Sequence, residues 1–317
     1  MEESRKIGQA GGLAAGWRGL LASRSSAVLC ASACPPFNLA EAAYVFASPL
    51  VLWALFGSRS KAEGKILLGC GWLAWIVLLA WLRNATDSLD IPLKGAFGWF
   101  LTAALALVLA LFWWAWAWLA LITTRWARYR SLNSRLAVMI GMAATWVIIE
   151  WIRGWIFTGF PWLPLSASQW QRPLLLQIAS ITGAYGISFV LIAFNFGLGF
   201  YLHTLWRNRK EKWIKRLSFE FYLALALLFS AIGFGLHSAG VGFKGSIVGP
   251  KLGFVQPNTA SGQKWNADFM RQNLKTLSDQ TTYASYLDAD LILWPEAPTP
   301  LPLKGNLSMQ QWVESLC

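Results

Sequence analysis

A carboxylate at the end of an apolar run is the first feature that could do chemistry. In LDADLILWPEAPTP (287–300), residues 291–294 read as a short strand buried on both faces, and Glu296 follows in a turn bracketed by Pro295 and Pro298. Pro295 fixes its own φ and gives up an amide donor, and Pro298 restricts Ala297, so few directions are open to the acid. At the carboxyl end of a strand in an α/β sheet, where reactive groups collect, such a group suits a general base. A solvated acid in an ordinary turn is the competing reading.

A second constellation is TGFPWLPLSASQW (158–170), which places Phe160, Trp162 and Trp170 close together. Aromatic residues in this setting form the belt of a membrane–water interface. Just upstream, Glu150 and Arg153 stand i,i+3, and an ion pair locking a helix end is their expected role. Cys30, Cys34, Cys70 and Cys317 show no ligand spacing, and Cys30 and Cys34 read as small packing residues. His203 and His237 stand singly, so the sequence points to no metal, and nothing in it asks for an organic cofactor.

The elements that must position these residues are mostly apolar. The chain is 56% hydrophobic and 13% charged, with 21 Trp and 19 Phe, which indicates an integral membrane protein. Its net charge of +12 sits in short clusters between apolar runs, as topology signals do, so no nucleic-acid partner is expected. Seven spans are predicted, at about 20–35, 39–57, 65–82, 97–122, 135–153, 174–203 and 217–239. Arg24, Ser25 and Ser26 make the first the weakest, and it is read as a span rather than a cleaved signal peptide. With a cytoplasmic N-terminus, one side gathers clusters such as Arg125, Arg128, Arg130 and Arg135, and Arg207, Arg209, Lys210, Lys212, Lys215 and Arg216. The other side, up to residue 240, holds only Arg83, Lys94, Arg153 and Arg172. That bias sends the remainder of the chain to the non-cytoplasmic side.

After residue 240 the pattern changes. A linker rich in Gly leads to LGFVQPN (252–258), read as a strand. KWNADFMRQNLKTLSDQTTYASYLDA (264–289) then carries Met270, Leu274, Leu277, Ala284 and Leu287 near helical spacing, with Asn266 as N-cap, before the strand that precedes Glu296. Strand, helix, strand is the opening of an α/β domain with a parallel sheet.

TGFPWLPLSASQW, LLLQIASITGAYGISFVLIAFN (174–195), VQPN with KW at 264–265, and DLILWPEA (290–297), in this order, resemble the apolipoprotein N-acyltransferases. CPPFNLAEAAYVFASPL (34–50) is similar to that family's opening spans. The resemblance implies an α-helical polytopic membrane domain (1–240) followed by the start of a nitrilase-like α-β-β-α sandwich domain (241–317), in the bacterial inner membrane with the second domain periplasmic. It implies transfer of an acyl chain from a phospholipid, through a cysteine thioester, to the α-amino group of a diacylglyceryl-modified apolipoprotein. By position, Glu296 matches the general base, Trp265 a Trp at the mouth of the site, and Phe160 and Trp162 aromatic residues lining the lipid entrance. Arg153 matches an arginine that contacts the catalytic domain.

The family's triad also has a Lys and a Cys well downstream of its Glu. Lys304 and Cys317 do not suit those roles, because the nucleophile follows a later strand and Cys317 has no following amide for an oxyanion hole. The expectation is therefore a C-terminally truncated or split enzyme, inactive alone, with a missing C-terminal half as an open partner. Two alternatives remain: a non-catalytic lipid- or lipoprotein-binding remnant, and a membrane-tethered amidase-type nitrilase relative.

Overall fold

The computed structural model describes residues 2–57, 59–86, 92–242, 249–259, 263, 266–299 and 301–316, with side chains left aside at 2–15, 85, 157, 241 and 242. The chain divides into two compact units, one of residues 1–83 and 96–243, the other of residues 84–95 and 244–317.

The first unit is helical. Its helices are α1 (Glu2–Ala33), α2 (Ser48–Phe56), α3 (Glu63–Leu78), α4 (Lys94–Ala127), α5 (Leu132–Arg153), the short α6 (Pro173–Leu176), α7 (Ala179–Arg207) and α8 (Phe219–Gly242). Among the described residues, four segments are long and apolar enough to cross a membrane: Lys94–Ala127, Leu132–Arg153, Ala179–Arg207 and Phe219–Gly240. The three earlier predicted spans look different. The 39–57 segment is not one helix: a 3-10 turn at Ala40–Tyr44 precedes α2, which has Pro49 in its first turn. Buried Asn195 of α7 satisfies the backbone freed by that break. Its Oδ1 accepts from Ala47 N at 2.7 Å and its Nδ2 donates to Ala43 O at 2.8 Å. Non-helical backbone at this depth is tolerated only with such partners. The 65–82 segment leaves α-helical geometry at Leu78, where a 3-10 stretch begins two residues on at Ala80. At the weakest span, α1 runs straight through Arg24–Ser26, because Ser23, Ser26 and Ala27 form its buried face while Arg24 is exposed. Small side chains allow that close helix packing.

The core of this unit is aromatic at its centre, with Phe46, Trp116 and Phe196 fully buried. The Trp116 and Trp146 rings meet edge-on, 4.7 Å apart, a favoured aromatic geometry. Gly199 lets α7 approach α2, since a Cβ there would lie 2.5 Å from Val51 Cγ1.

The second unit carries a two-stranded parallel sheet, β1 (Leu252–Phe254) and β2 (Leu291–Leu293), with Gly253 opposite Ile292. The crossover between the strands is α9 (Ala267–Tyr286), and α10 (Leu307–Glu314) follows. Asn266 caps α9 as expected: its Oδ1 accepts from Asp268 N at 2.9 Å. Burial of β2 on both faces is not observed. Leu291 and Leu293 are exposed, as are Leu252 and Phe254 beside them, because α9 covers only the face of Gly253 and Ile292.

Candidate functional site

The 158–170 segment lies in the connection between α5 and α7, and the two ionisable residues at the end of α5 hold it. Glu150 is buried, and its Oε1 accepts from Leu165 N at 2.6 Å and from Trp146 Nε1 at 2.7 Å. Arg153 is also buried. Its Nη2 donates to Trp162 O at 3.1 Å and Leu163 O at 3.3 Å, and its guanidinium lies 5.4 Å from the centre of the Trp75 ring. The expected Glu150–Arg153 ion pair is absent among the described residues. Each side chain instead turns to a different part of the loop, because the loop's unpaired amides and carbonyls need partners more than the two charges need each other.

Further along, Gln169 is fully buried, donating to Ala40 O at 3.0 Å and accepting from Tyr44 Oη at 3.1 Å. Trp170 Nε1 donates to Asn38 Oδ1 at 3.2 Å, and Arg172 pairs with Glu41. Both ends of the segment are thus tied to helices, and its first turn is conformationally demanding. Thr158 and Leu163 have positive φ, and Gly159, at φ 85°, has no room for a side chain: a Cβ would lie 2.3 Å from Gly154 O. Residues held in such conformations persist only where surrounding contacts over-determine them.

What the loop presents outward is aromatic. The Trp162 ring stacks on Trp81 with centroids 4.9 Å apart and planes 13° apart, and on Phe160 at 5.8 Å and 19°. Trp81 and Trp162 are about half exposed, while Phe160 packs against Leu79, Ala106 and Leu109. Trp81 was not singled out from the sequence; no local pattern distinguishes it from the other Trp residues. Beneath the loop is a cavity of about 50 Å³ lined by Cys30, Cys34, Trp75, Trp146, Glu150 and Arg153. At that volume it can hold a water molecule or two.

In the second unit, Glu296 is exposed in the bend beyond the carboxyl end of β2. The turn hangs from Trp294, whose Nε1 donates to Thr281 Oγ1 on α9 at 3.0 Å and whose ring lies 5.9 Å from Trp312 of α10. Asn258 after β1 and Ala297 after β2 both have positive φ. A cleft of about 200 Å³ opens between these two turns, lined by Pro257, Asn258, Asn273, Pro295 and Pro298 among others. Trp265, also singled out from the sequence, lies outside the described residues, as does Cys317. No group of three or more metal-binding side chains occurs among the described residues.

Residues 26–197, which carry the pinned loop and its aromatic stack, match the family profile described as the apolipoprotein N-acyltransferase N-terminal domain. The chain belongs to the apolipoprotein N-acyltransferase family. Among its curated relatives, the apolipoprotein N-acyltransferase of Azotobacter vinelandii is 30% identical over 90% of this chain and 52% of its own length. That of Allorhizobium ampelinum is 30% identical over 93% and 54%. That of Shewanella oneidensis is 29% identical over 82% and 46%. The chain spans about half the length of the curated relatives it matches. The profile covers Glu150, Arg153, Phe160 and Trp162, whereas Trp265 and Glu296 lie beyond it.

Proposed function

We propose that this chain is the membrane part and the base-bearing edge of an apolipoprotein N-acyltransferase. Residues 1–240 would form a domain of about seven spans and 241–317 the start of a periplasmic nitrilase-like domain. The observation that carries the reading is the loop after α5: an aromatic stack of Trp81, Trp162 and Phe160, half open to the surroundings, on a segment fixed by two buried ionisable side chains. A phospholipid acyl chain can lie against such a surface from the side, and a fixed surface positions its ester at little entropic cost. The uneven distribution of Lys and Arg supports the periplasmic side for the loop and for Glu296.

In this reading Glu296 removes the proton of a cysteine thiol. The thiolate adds to the ester carbonyl of the phospholipid, and the lysophospholipid leaves as its alcohol takes the proton back. The α-amino group of a diacylglyceryl-modified apolipoprotein then attacks the thioester, the amide forms and the thiol is restored. Two easier steps replace one difficult transfer, and ping-pong kinetics follow. Cys30 and Cys70 sit within α1 and α3, and Cys34 is buried just past α1. The reading therefore leaves the nucleophile and its lysine to sequence downstream of Glu296, as the family resemblance implies. Trp265 is proposed at the mouth of the site, and Arg153 acts by positioning Trp162.

In an enzyme that includes this chain, Glu296→Ala is expected to abolish formation of the acyl-enzyme from labelled phospholipid while membrane insertion is kept. Retained acylation would remove Glu296 from its role. The 317-residue chain by itself is expected to take up no label, and a hydroxylamine-sensitive label on Cys317 would overturn the assignment of the nucleophile.

A further inference from the structure

The ends of α5 and α7 far from the 158–170 loop enclose a second concavity. The C-terminal end of α4, the first turn of α5, the last turn of α7 and the start of α8 surround a cavity of about 390 Å³. Arg128, Arg135, Arg207 and Lys215 line it, against the single carboxylate of Glu220. That carboxylate is already engaged: Arg135 Nε lies 2.7 Å from Oε1, and Ser218 Oγ donates to Oε2 at 2.8 Å. Lys215 pairs outward with Glu211 at 2.9 Å. Arg128 and Arg207 have no carboxylate partner among the described residues, and Arg128 Nε is buried without a hydrogen-bond partner among them.

Topology signalling alone does not ask for this arrangement. Arginines that serve only to mark a membrane side can spread over the surface, as Arg130 and Arg209 do, lying 4.2 Å and 5.1 Å from the Trp126 and Trp206 ring centres. Arg128 also lies 4.9 Å from the Tyr129 ring centre, but with Arg135 and Arg207 it lines one concave space, where like charges repel unless an anion sits between them. Guanidinium forks match phosphate oxygens in pairs, and basic pockets between membrane helices suit lipid head groups. The rim adds apolar surface, with Leu217 and Phe219 both exposed.

We propose that this cavity binds a phosphate group, that of an anionic phospholipid head group whose chains lie along Leu217 and Phe219. The proposal does not depend on the acyl-transfer reading, since it uses the opposite ends of the helices and none of that site's residues.

Native mass spectrometry of the delipidated 317-residue chain in detergent tests it, with phosphatidylglycerol and phosphatidylcholine of matched chains as probes. Phosphatidylglycerol is expected to bind about tenfold more tightly, and R128Q/R207Q to erase that preference. Arg207→Gln alone, at an exposed position, is expected to weaken it; it serves where the double variant fails to fold, as judged by thermal melting. Equal binding of the two lipids, or an undiminished preference in R128Q/R207Q or in Arg207→Gln, overturns the site. Inorganic phosphate is the second probe. Failure to displace phosphatidylglycerol upholds the lipid source, and displacement at comparable concentration overturns that source while upholding the phosphate group.

Discussion

The two ends of the same helices handle charge in opposite ways. At the loop end, Glu150 accepts from Leu165 N and Trp146 Nε1, and Arg153 donates to Trp162 O and Leu163 O. At the far end, Glu220 pairs with Arg135, and Arg128 and Arg207 have no carboxylate partner among the described residues. Charges matched to backbone groups fix a segment, whereas an excess of converging charge makes a site for something else. The difference lies in partner supply: the loop end offers backbone amides and carbonyls to its charges, whereas the far end gathers more cations than acids.

The comparison is broken most severely at Glu150. Glu150→Ala leaves the Leu165 and Trp146 donors without their acceptor and is expected to cost about 3 kcal/mol, read as thermal unfolding in detergent. Glu150→Gln keeps an acceptor at Oε1 and should cost about 1 kcal/mol; equal losses for the two variants would mean that the charge, not the acceptor, holds the loop. Gly159→Ala comes next, at about 2 kcal/mol, because the new Cβ meets Gly154 O in a backbone region that disfavours side chains. Trp162→Ala should cost about 1 kcal/mol from the lost stacking on Trp81 and Phe160. In a complete enzyme it should raise KM for phospholipid more than it lowers kcat. A variant with unchanged KM would show that the stack does not meet the acyl donor. The smallest effect on stability is expected at the far end, from Arg207→Gln, within about 0.5 kcal/mol, even though it weakens anionic-lipid binding. A large loss of stability there would recast Arg207 as a structural group.

Much of the second unit was legible locally. The N-cap at Asn266, the helix after it and the strand before Glu296 each depend on neighbours within a few residues, so spacing and residue type were enough. The helical part was legible in the four helices long and apolar enough to cross a membrane, where twenty or so apolar residues carry the signal. It was less so where helices are short. The break before α2 depends on Asn195, more than a hundred residues away, and no window around 39–57 contains it. The i,i+3 spacing of Glu150 and Arg153 suggested an ion pair because spacing reports only helix neighbours. Both side chains went to a loop that curls back over the helix end.

The sequence by itself determined that the chain carries apolar helices long enough to cross a membrane, that a strand, helix and strand follow them, that Glu296 follows a strand in a proline-bracketed turn, and that basic residues cluster between apolar runs. Composition, periodicity and dihedral restriction are properties of contiguous residues, and they need no fold to be read. Only the tertiary structure decided that Trp81 joins Trp162 and Phe160, that Glu150 and Arg153 hold a loop rather than each other, and that Arg128 and Arg207 share a cavity. Each of these brings together side chains from separate elements, and whether a charge or ring finds a partner is settled by which elements pack, not by its place in the chain.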